Sequence, residues 1–509
     1  MAEQKTSSTK TDSQAGTDNQ DLIDQNKYFL HLLKHQKKYL LSLLTLIFLV
    51  HIINSTINNK PLLTGGESYY YLAKLSPLYN PLTNIISRAP DWLLFFLPFV
   101  IVFLSIILWL WLAKKLLLQE KVVFFFVLFL ILSPAFIFSF ISLSGYSFFI
   151  FLTLLGFTLL MQESKTAQAL SLAPFIAATF FDTYSAILLL VLLTGYYFSS
   201  KTSKISSKTS PKKSVHNGSV AGKRTAKGKM LLPLIISCTI ALAIFNCFFL
   251  KIPFIEGPFH VQKTIPDLVS DMGGLSGVSL FLIILAIIGL LLFWKRKNIF
   301  AYIMLLAVIP PYFFNTNTII FFSIMVAFFA AAGFVKLFEN KWTIISLKNI
   351  TFFLLFLGII FSAVAYLDRT AEYSPLSNDQ EALTWVKENT PENLVVLSDS
   401  EYSYYIKYFS AREPIHYLNS KDYKENLNLT NSIFSSLYIQ ELFPLLEENN
   451  VSIIYVTETM KKTLPKEQGF LFLLKNERFK LIHSSGSAEV WTFEKEPESK
   501  SAGELAKSE

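Results

Sequence analysis

The residues best suited to chemistry lie in one polar stretch, Leu63 to Leu75, which follows the first long apolar run. Gly65 and Gly66 allow a tight backbone turn, and Glu67 supplies a lone carboxylate directly after it. Tyr69 and Tyr70 carry apolar rings with polar hydroxyls, which suits a membrane–water boundary. An acid on such a turn can act on a lipid head group. The same residues also fit a solvated turn with interfacial anchors, and both interpretations stay open.

The composition indicates a chain that lies mostly in lipid. Hydrophobic residues make up 52% of its 509 residues and charged residues only 16%, whereas a soluble protein has about 25% charged residues. The net charge of +8 comes from basic residues gathered in short loops between apolar runs. This is the positive-inside pattern of a multi-pass membrane protein, and it argues against a nucleic-acid partner.

The apolar runs predict about eleven helical spans, with the N-terminus in the cytoplasm. Every Lys- and Arg-rich loop falls on the cytoplasmic side under this count. The fifth and ninth spans are shorter than the roughly 20 apolar residues expected for a full crossing. The predicted spans are Tyr39–Ile53, Trp92–Ala113, Val122–Phe140 (bent near Pro134), Tyr146–Met161, Ala167–Phe181, Tyr184–Phe198, Met230–Leu250, Gly277–Trp294, Phe300–Phe314, Ile319–Val335 and Ile350–Tyr366.

The composition also predicts the domain boundaries. Residues 1–37 read as a disordered cytoplasmic tail, 38–367 as the transmembrane domain, 368–494 as an extracytoplasmic α/β domain and 495–509 as a second disordered tail. Within the transmembrane domain, 55–91 and 251–276 are outer loops and 199–229 is a basic cytoplasmic loop. The sequence thus predicts a multi-pass protein of the cell membrane with a soluble outer domain.

The outer domain is predicted from local periodicity. Asn378–Glu388 and Ile439–Glu448 have helical patterns, whereas Leu394–Ser398 and Val451–Val456 are short apolar or β-branched runs that favour strands. Phe479–His483 and Ala488–Phe493 flank Ser485-Gly486-Ser487, which indicates a hairpin. Trp385 fits the packing face of the first helix, and Arg412 beside Glu413 is typical of a surface pair.

Three stretches carry a family resemblance. The chain resembles the GT-C superfamily of membrane glycosyltransferases, and within it the catalytic subunit of archaeal oligosaccharyltransferase and its shorter relatives. Gly65–Leu72 resembles the first outer-loop motif, in which an acid precedes a Tyr-Tyr-His-Leu-like run. Ser270–Gly277 is similar to a Gly-rich outer segment, and Glu381–Asn393 with Val395–Ser398 is similar to the helix and strand that open the outer domain.

The resemblance has departures. Where the oligosaccharyltransferase subunit has a Trp-Trp-Asp-Tyr-Gly motif that reads the acceptor sequon, this chain has Asp399–Ser403, and only Tyr402 matches. The second acidic motif belongs in the outer turn after the third span, but Ser142–Gly145 contains no acid. The first motif has Glu67 where Asp is usual and Tyr71 where His is common.

The resemblance implies transfer of a sugar from a polyprenyl-phosphate carrier to an acceptor outside the membrane. Such transfer needs a carboxylate to take the acceptor's proton and a cation to stabilise the leaving phosphate. Glu67 is the expected catalytic base or metal ligand. The other expected site residues are Tyr69, Tyr70, Arg88 and Lys263 for substrate, and Asp182 and Asp271 with Glu67 for a divalent metal, Mg or Mn.

Two further classes remain. A catalytically inactive GT-C-fold scaffold or lipid-carrier-binding protein is suggested by the missing acid between Ser142 and Gly145. A transporter is the third class, although transporters tend to carry charged or broken spans near the midplane, whereas these spans are nearly free of charge. The donor sugar, the acceptor and the metal are not determined by the sequence.

Overall fold

The computed structural model describes residues 33–73, 86, 88–116, 118–181, 183–209, 231–248, 268–273, 277–294, 299–313, 318–370, 375–415 and 423–494. The predicted tails, and most of the loops 199–229 and 251–276, lie outside these residues. The described residues form two compact units. The first takes its residues from Met1–His51, Phe99–Phe140 and Gly145–Leu367, and the second from Ile52–Pro98, Ile141–Ser144 and Asp368–Glu509.

The first unit is helical because its sequence is an almost unbroken series of apolar runs, and a helix satisfies its own backbone groups in lipid. The helices that contribute to it are α1 (Gln36–Ile57), α3 (Asp91–Lys115), α4 (Glu120–Ile131), α5 (Pro134–Ile141), α6 (Gly145–Leu160), α7 (Lys165–Leu170), α8 (Leu172–Thr179), α9 (Thr183–Thr209), α10 (Leu231–Phe248), α11 (Leu280–Trp294), α12 (Ile299–Tyr312), α13 (Ile319–Glu339) and α14 (Ile345–Arg369).

Among the described residues, four helices are long and apolar enough to cross a membrane, namely α1, α3, α13 and α14. The pair α4 and α5 would be a fifth span, bent by 62° at the break before Pro134. The predicted bend is therefore confirmed. The fifth predicted span is two short helices, α7 and α8, and several other apolar helices have 10–17 residues. The count of eleven spans stays a prediction.

Close helix contact fixes part of this unit. A Cβ added at Gly289 on α11 would lie 1.9 Å from the Phe329 carbonyl oxygen on α13, and one added at Gly333 would lie 2.4 Å from that of Leu285. Only glycine permits the two backbones to approach so closely. A layer of phenylalanines packs beside them, with the Phe334 ring centroid 4.4 Å from that of Phe125 on α4.

The second unit joins α2 (Gly66–Leu72), from the loop after α1, to an α/β fold near the C-terminus. The helices of that fold are α15 (Ser377–Asn389), α16 (Ser403–Tyr405), α17 (Tyr423–Ser435), α18 (Ile439–Glu448), α19 (Glu458–Thr463) and α20 (Phe470–Leu473). The strands are β1 (Val395–Leu397), β2 (Glu413–Pro414), β3 (Val451–Val456), β4 (Phe479–Ser485) and β5 (Ala488–Phe493). The predicted helices, strands and hairpin of this region are confirmed.

The five strands form one sheet in the order β2-β1-β3-β5-β4. Strand β1 lies between β2 and β3 and is parallel to both, whereas β5 is antiparallel to β3 and to its hairpin partner β4. The core under the sheet contains Leu442 and Leu446 of α18 and Phe470 of α20, all fully buried. The amphipathic period of α18 thus provides the face that covers the strands.

The predicted surface pair of Arg412 and Glu413 is wrong, because Arg412 is buried. Its side chain is only 3% exposed, and its guanidinium donates to the carbonyls of Lys387, Thr390 and Ser410. Glu413 instead pairs with Lys407. Arg412 therefore ties the end of α15 to the segment that precedes β2, which no local sequence pattern indicates.

Candidate functional site

The Glu67 turn is built on a glycine and a short helix. Gly65 has φ 79°, in the left-handed region that favours glycine. It precedes α2, and Glu67 is the second residue of that helix. The backbone of Glu67 is therefore set in the first helical turn, while its side chain lies outside what the structure describes.

Hydrogen bonds tie this turn to the segment that follows α5. The Thr64 N–H donates to the Ile141 carbonyl at 3.0 Å. The Ser68 hydroxyl donates to the Thr64 carbonyl at 2.7 Å and accepts from the Leu143 N–H at 2.8 Å. Thr64 and Ser68 are fully buried. The two turns that the family resemblance singled out are therefore directly hydrogen-bonded to each other.

Tyr69 and Tyr70 pack against an aromatic segment of the same unit. The Tyr69 ring centroid lies 4.7 Å from that of Tyr405 and 5.3 Å from that of Tyr408, and Tyr70 lies 5.3 Å from Tyr404. Tyr69 is 1% exposed and Tyr70 is 7% exposed. Protein rings therefore surround both side chains, and stacking of Tyr69 and Tyr70 on sugar or isoprenoid stays a prediction.

Burial also sets the charge of Tyr69. Burial raises the pKa of Tyr69 well above its usual value, and neighbouring Tyr405 and Tyr408 raise it further. Its hydroxyl donates to the Leu63 carbonyl at 3.3 Å. Tyr69 is therefore a neutral anchor that holds the start of α2, and it carries no charge for catalysis.

The structure describes two of the other four predicted cationic and acidic site residues. Arg88 is exposed in the turn before α3. Lys263 and Asp182 lie outside the described residues. Asp271 lies in a one-turn 3-10 helix, Ser270–Met272, of the first unit, whereas Glu67 belongs to the second.

The carboxylate of Asp271 is occupied by a helix start. It accepts from the backbone N–H of Leu280 at 2.7 Å and from the hydroxyls of Ser279 and Ser362. An acid at a helix N-terminus satisfies a free N–H and interacts favourably with the helix dipole. These bonds fit a structural cap of α11, which joins α11 to α14 through Ser362.

The predicted metal site finds no support in the described part of the chain. Within it, no group of three or more His, Cys, Asp or Glu side chains is placed to hold a metal ion. The turn bonded to the Glu67 loop contributes Ser142 and Ser144, both buried, and no carboxylate. Because Asp182 and the Glu67 side chain lie outside the described residues, the site of Glu67, Asp182 and Asp271 stays a prediction.

Sequence reasoning missed the residues that hold the turn. Ser68 and Leu143 are 75 positions apart, and their contact has no local signature. Asp379 on α15, whose side chain is only 1% exposed, was missed as well. A buried acid inside a helical pattern gives no signal in a single sequence, because its partners are remote in the chain.

Comparisons with known proteins agree with this architecture. No family model matches the chain, and no curated protein matches it. Several solved structures do match it. The chain has the fold of an archaeal oligosaccharyltransferase. The similar structures include the Archaeoglobus fulgidus oligosaccharyltransferase tethered to an acceptor peptide with an NVT sequon, at 13% identity and a TM-score of 0.51, covering 84% of this chain and 70% of that one.

Two other structures from Archaeoglobus fulgidus give the same result. One is the oligosaccharyltransferase AglB with an inhibitory peptide and a dolichol-phosphate, at 13% identity, TM-score 0.52 and coverage of 84% and 70%. The other is the oligosaccharyltransferase with zinc and sulfate, at 13% identity, TM-score 0.50 and coverage of 82% and 68%. At this identity the likeness shows the fold alone. Together with the apolar helices, it indicates a multi-pass membrane protein.

Proposed function

We propose that the protein is a membrane glycosyltransferase that moves a sugar or glycan from a polyprenyl-phosphate-linked donor to an acceptor on the outer side of the membrane. The observation that carries the proposal is the placement of Glu67. It lies in the first turn of α2, on backbone held by Thr64, Ser68 and Tyr69. The oligosaccharyltransferase fold over most of the chain supports the same conclusion.

The proposed reaction breaks the bond between the anomeric carbon and a phosphate oxygen. The acceptor hydroxyl or amide attacks that carbon, its proton passes to the Glu67 carboxylate, and the polyprenyl phosphate leaves as an anion. A positioned general base contributes roughly 10²- to 10⁴-fold to the rate. No step is assigned to a metal ion, and in this proposal Glu67 acts as the base.

The leaving phosphate needs a cation. Arg88 is the described candidate, since it is exposed and belongs to the same unit as Glu67. A guanidinium can donate two parallel hydrogen bonds to phosphate oxygens. Lys263 is the second candidate. Replacing Arg88 with Gln therefore lowers transfer, whereas Arg88→Lys keeps the charge and loses the paired bonds.

Transfer from a polyprenyl phosphate that carries a radiolabelled hexose, measured in proteoliposomes, tests the role of Glu67. Glu67→Gln keeps the size of the side chain but cannot take a proton, so the rate falls by about 100-fold or more. Glu392→Gln, at an exposed position of the outer domain, is the matched control and keeps the wild-type rate. Full activity of Glu67→Gln would remove Glu67 from the mechanism.

A catalytically inactive scaffold or carrier-binding protein is the second candidate. It is favoured by the turn after α5, which contacts the Glu67 loop through Leu143 yet contains Ser142 and Ser144 where an acid is expected. This candidate predicts that the wild-type chain binds polyprenyl phosphate and transfers no sugar. The same proteoliposome assay, run beside a binding measurement with the unglycosylated carrier, separates the two.

A further inference from the structure

A buried acid lies at the centre of the outer α/β fold. Asp379, in the first turn of α15, is 1% exposed. Its carboxylate accepts from the hydroxyl of Tyr455 at 2.5 Å, from the hydroxyl of Tyr402 at 3.4 Å and from the Leu376 N–H at 3.2 Å. Burial raises the pKa of Asp379, and nearby Glu458 also raises it. The three hydrogen bonds lower the pKa, but by less than burial raises it. Burying an acid costs free energy of folding unless hydrogen bonds compensate it.

A ladder of rings starts from one of these partners. Tyr402 lies 5.6 Å from Tyr405, in an edge-to-face arrangement. Tyr405 in turn lies 4.7 Å from Tyr69 of α2, again edge to face. Tyr408 and Phe409 touch the same Tyr69 ring at 5.3 and 5.5 Å.

Three of these rings come from one part of the chain. Tyr405, Tyr408 and Phe409 lie within one short helical segment, and all three rings contact Tyr69. They lie on α16 and on the five-residue π-helix Ile406–Ser410 that continues it. The π-helix ends at Ala411 with φ 55°, a left-handed conformation that is uncommon for alanine. π-Helical turns are rare and occur frequently at functional sites.

We propose that Asp379 is a positioning residue for the Glu67 helix and acts through the ladder Tyr402–Tyr405–Tyr69. Asp379 ties Tyr402 to the Tyr455 hydroxyl of the central strand β3, and the rings carry that restraint to α2. Satisfied buried polar networks favour a single arrangement of their members. The catalytic consequence rests on the proposed function, whereas the mechanical coupling does not.

Backbone hydrogen exchange in the full-length protein in nanodiscs tests the coupling directly. The Ala73 N–H donates to the Tyr69 carbonyl and reports on α2. In Asp379→Asn, exchange in the peptide that spans 66–73 becomes about tenfold faster, equivalent to about 1.4 kcal/mol of local stability. Tyr402→Phe removes only one hydroxyl and gives a smaller increase of about threefold.

A second pair of variants separates ring contact from the tyrosine hydroxyl. Tyr405→Phe keeps the ring and retains wild-type exchange in 66–73, whereas Tyr405→Leu accelerates it. Arg478→Gln is the control for general loosening of the outer domain, because Arg478 pairs with Glu447 and packs on Phe443. It accelerates exchange in β4 and leaves 66–73 unchanged.

Exchange and transfer together distinguish the two proposals. If transfer is detected, Asp379→Asn lowers kcat and leaves the KM for the polyprenyl-linked hexose unchanged, since the acid touches no substrate. If the wild-type chain transfers nothing but exchange responds as expected, the proposed function fails and the coupling stands. Unchanged exchange in 66–73 in Asp379→Asn and in Tyr405→Leu overturns the coupling, whatever the transfer assay shows.

Discussion

Removal of one buried hydroxyl, in Ser68→Ala, tests how the Glu67 turn is held. The Ser68 hydroxyl bonds the Thr64 carbonyl at 2.7 Å and the Leu143 N–H at 2.8 Å, and Ser68 is fully buried. Alanine leaves the Leu143 N–H without this acceptor. A buried group that loses its partner costs about 1–3 kcal/mol, and a loss of about 2 kcal/mol makes exchange of that N–H about 30-fold faster.

The assay is amide hydrogen exchange at Leu143 in the full-length protein, with the peptide that spans 66–73 as a second reporter. Ser68→Thr keeps the hydroxyl and retains more of the protection than alanine does. Ser105→Ala is the matched control, because Ser105 is also buried but its hydroxyl donates only to the Ile101 carbonyl of its own helix. Unaltered exchange at Leu143 in Ser68→Ala would refute the argument that this hydroxyl holds the two turns together.

Three further predictions concern other parts of the molecule. Gly333→Ala places a methyl group 2.4 Å from the Leu285 carbonyl oxygen, so the thermal unfolding temperature falls, because overpacking costs about 1–3 kcal/mol. In the control Gly358→Ala, the methyl group meets only a movable phenylalanine ring, and the unfolding temperature falls less. Arg412→Lys cannot reproduce a guanidinium fork on three carbonyls, and urea unfolding shows a loss of about 2–4 kcal/mol. Burial raises the pKa of Asp379, so the stability that this group contributes is fully present below the unfolded pKa of about 3.9 and is lost as the pH rises through the folded pKa. In thermal melts at a series of pH values, Asp379→Asn makes the unfolding temperature depend less on pH. An unaltered pH profile would contradict this assignment.

The effect of Asp379 on stability has a definite sign. The folded protein holds the proton more tightly than the unfolded chain, because burial disfavours the charged carboxylate more than its hydrogen bonds favour it. Stability contributed by this group therefore decreases with rising pH, opposite to the behaviour of a salt-bridged acid. The positioning role and the pH dependence thus rest on the same buried contacts.

The sequence by itself determined the features that depend on local periodicity. Apolar runs predicted a helical membrane protein, and the bend before Pro134 follows from the missing N–H and the clash of the proline ring. In the C-terminal α/β fold, the bounds of α18, β3 and β5 were predicted as they occur. These features are readable because burial of an apolar face repeats every 2 or 3.6 residues along the chain itself.

Only the tertiary structure decided which polar groups meet. Ser68 contacts Leu143, 75 residues away, and Tyr455 donates to Asp379, 76 residues away. Tyr69 was expected at a wet boundary, yet it lies buried on Tyr405 because a chain segment more than 300 positions later covers it. Hydropathy describes how a residue prefers to be solvated, whereas a hydrogen bond or ring contact also requires a partner at the correct distance and angle, and packing between remote segments alone provides that partner.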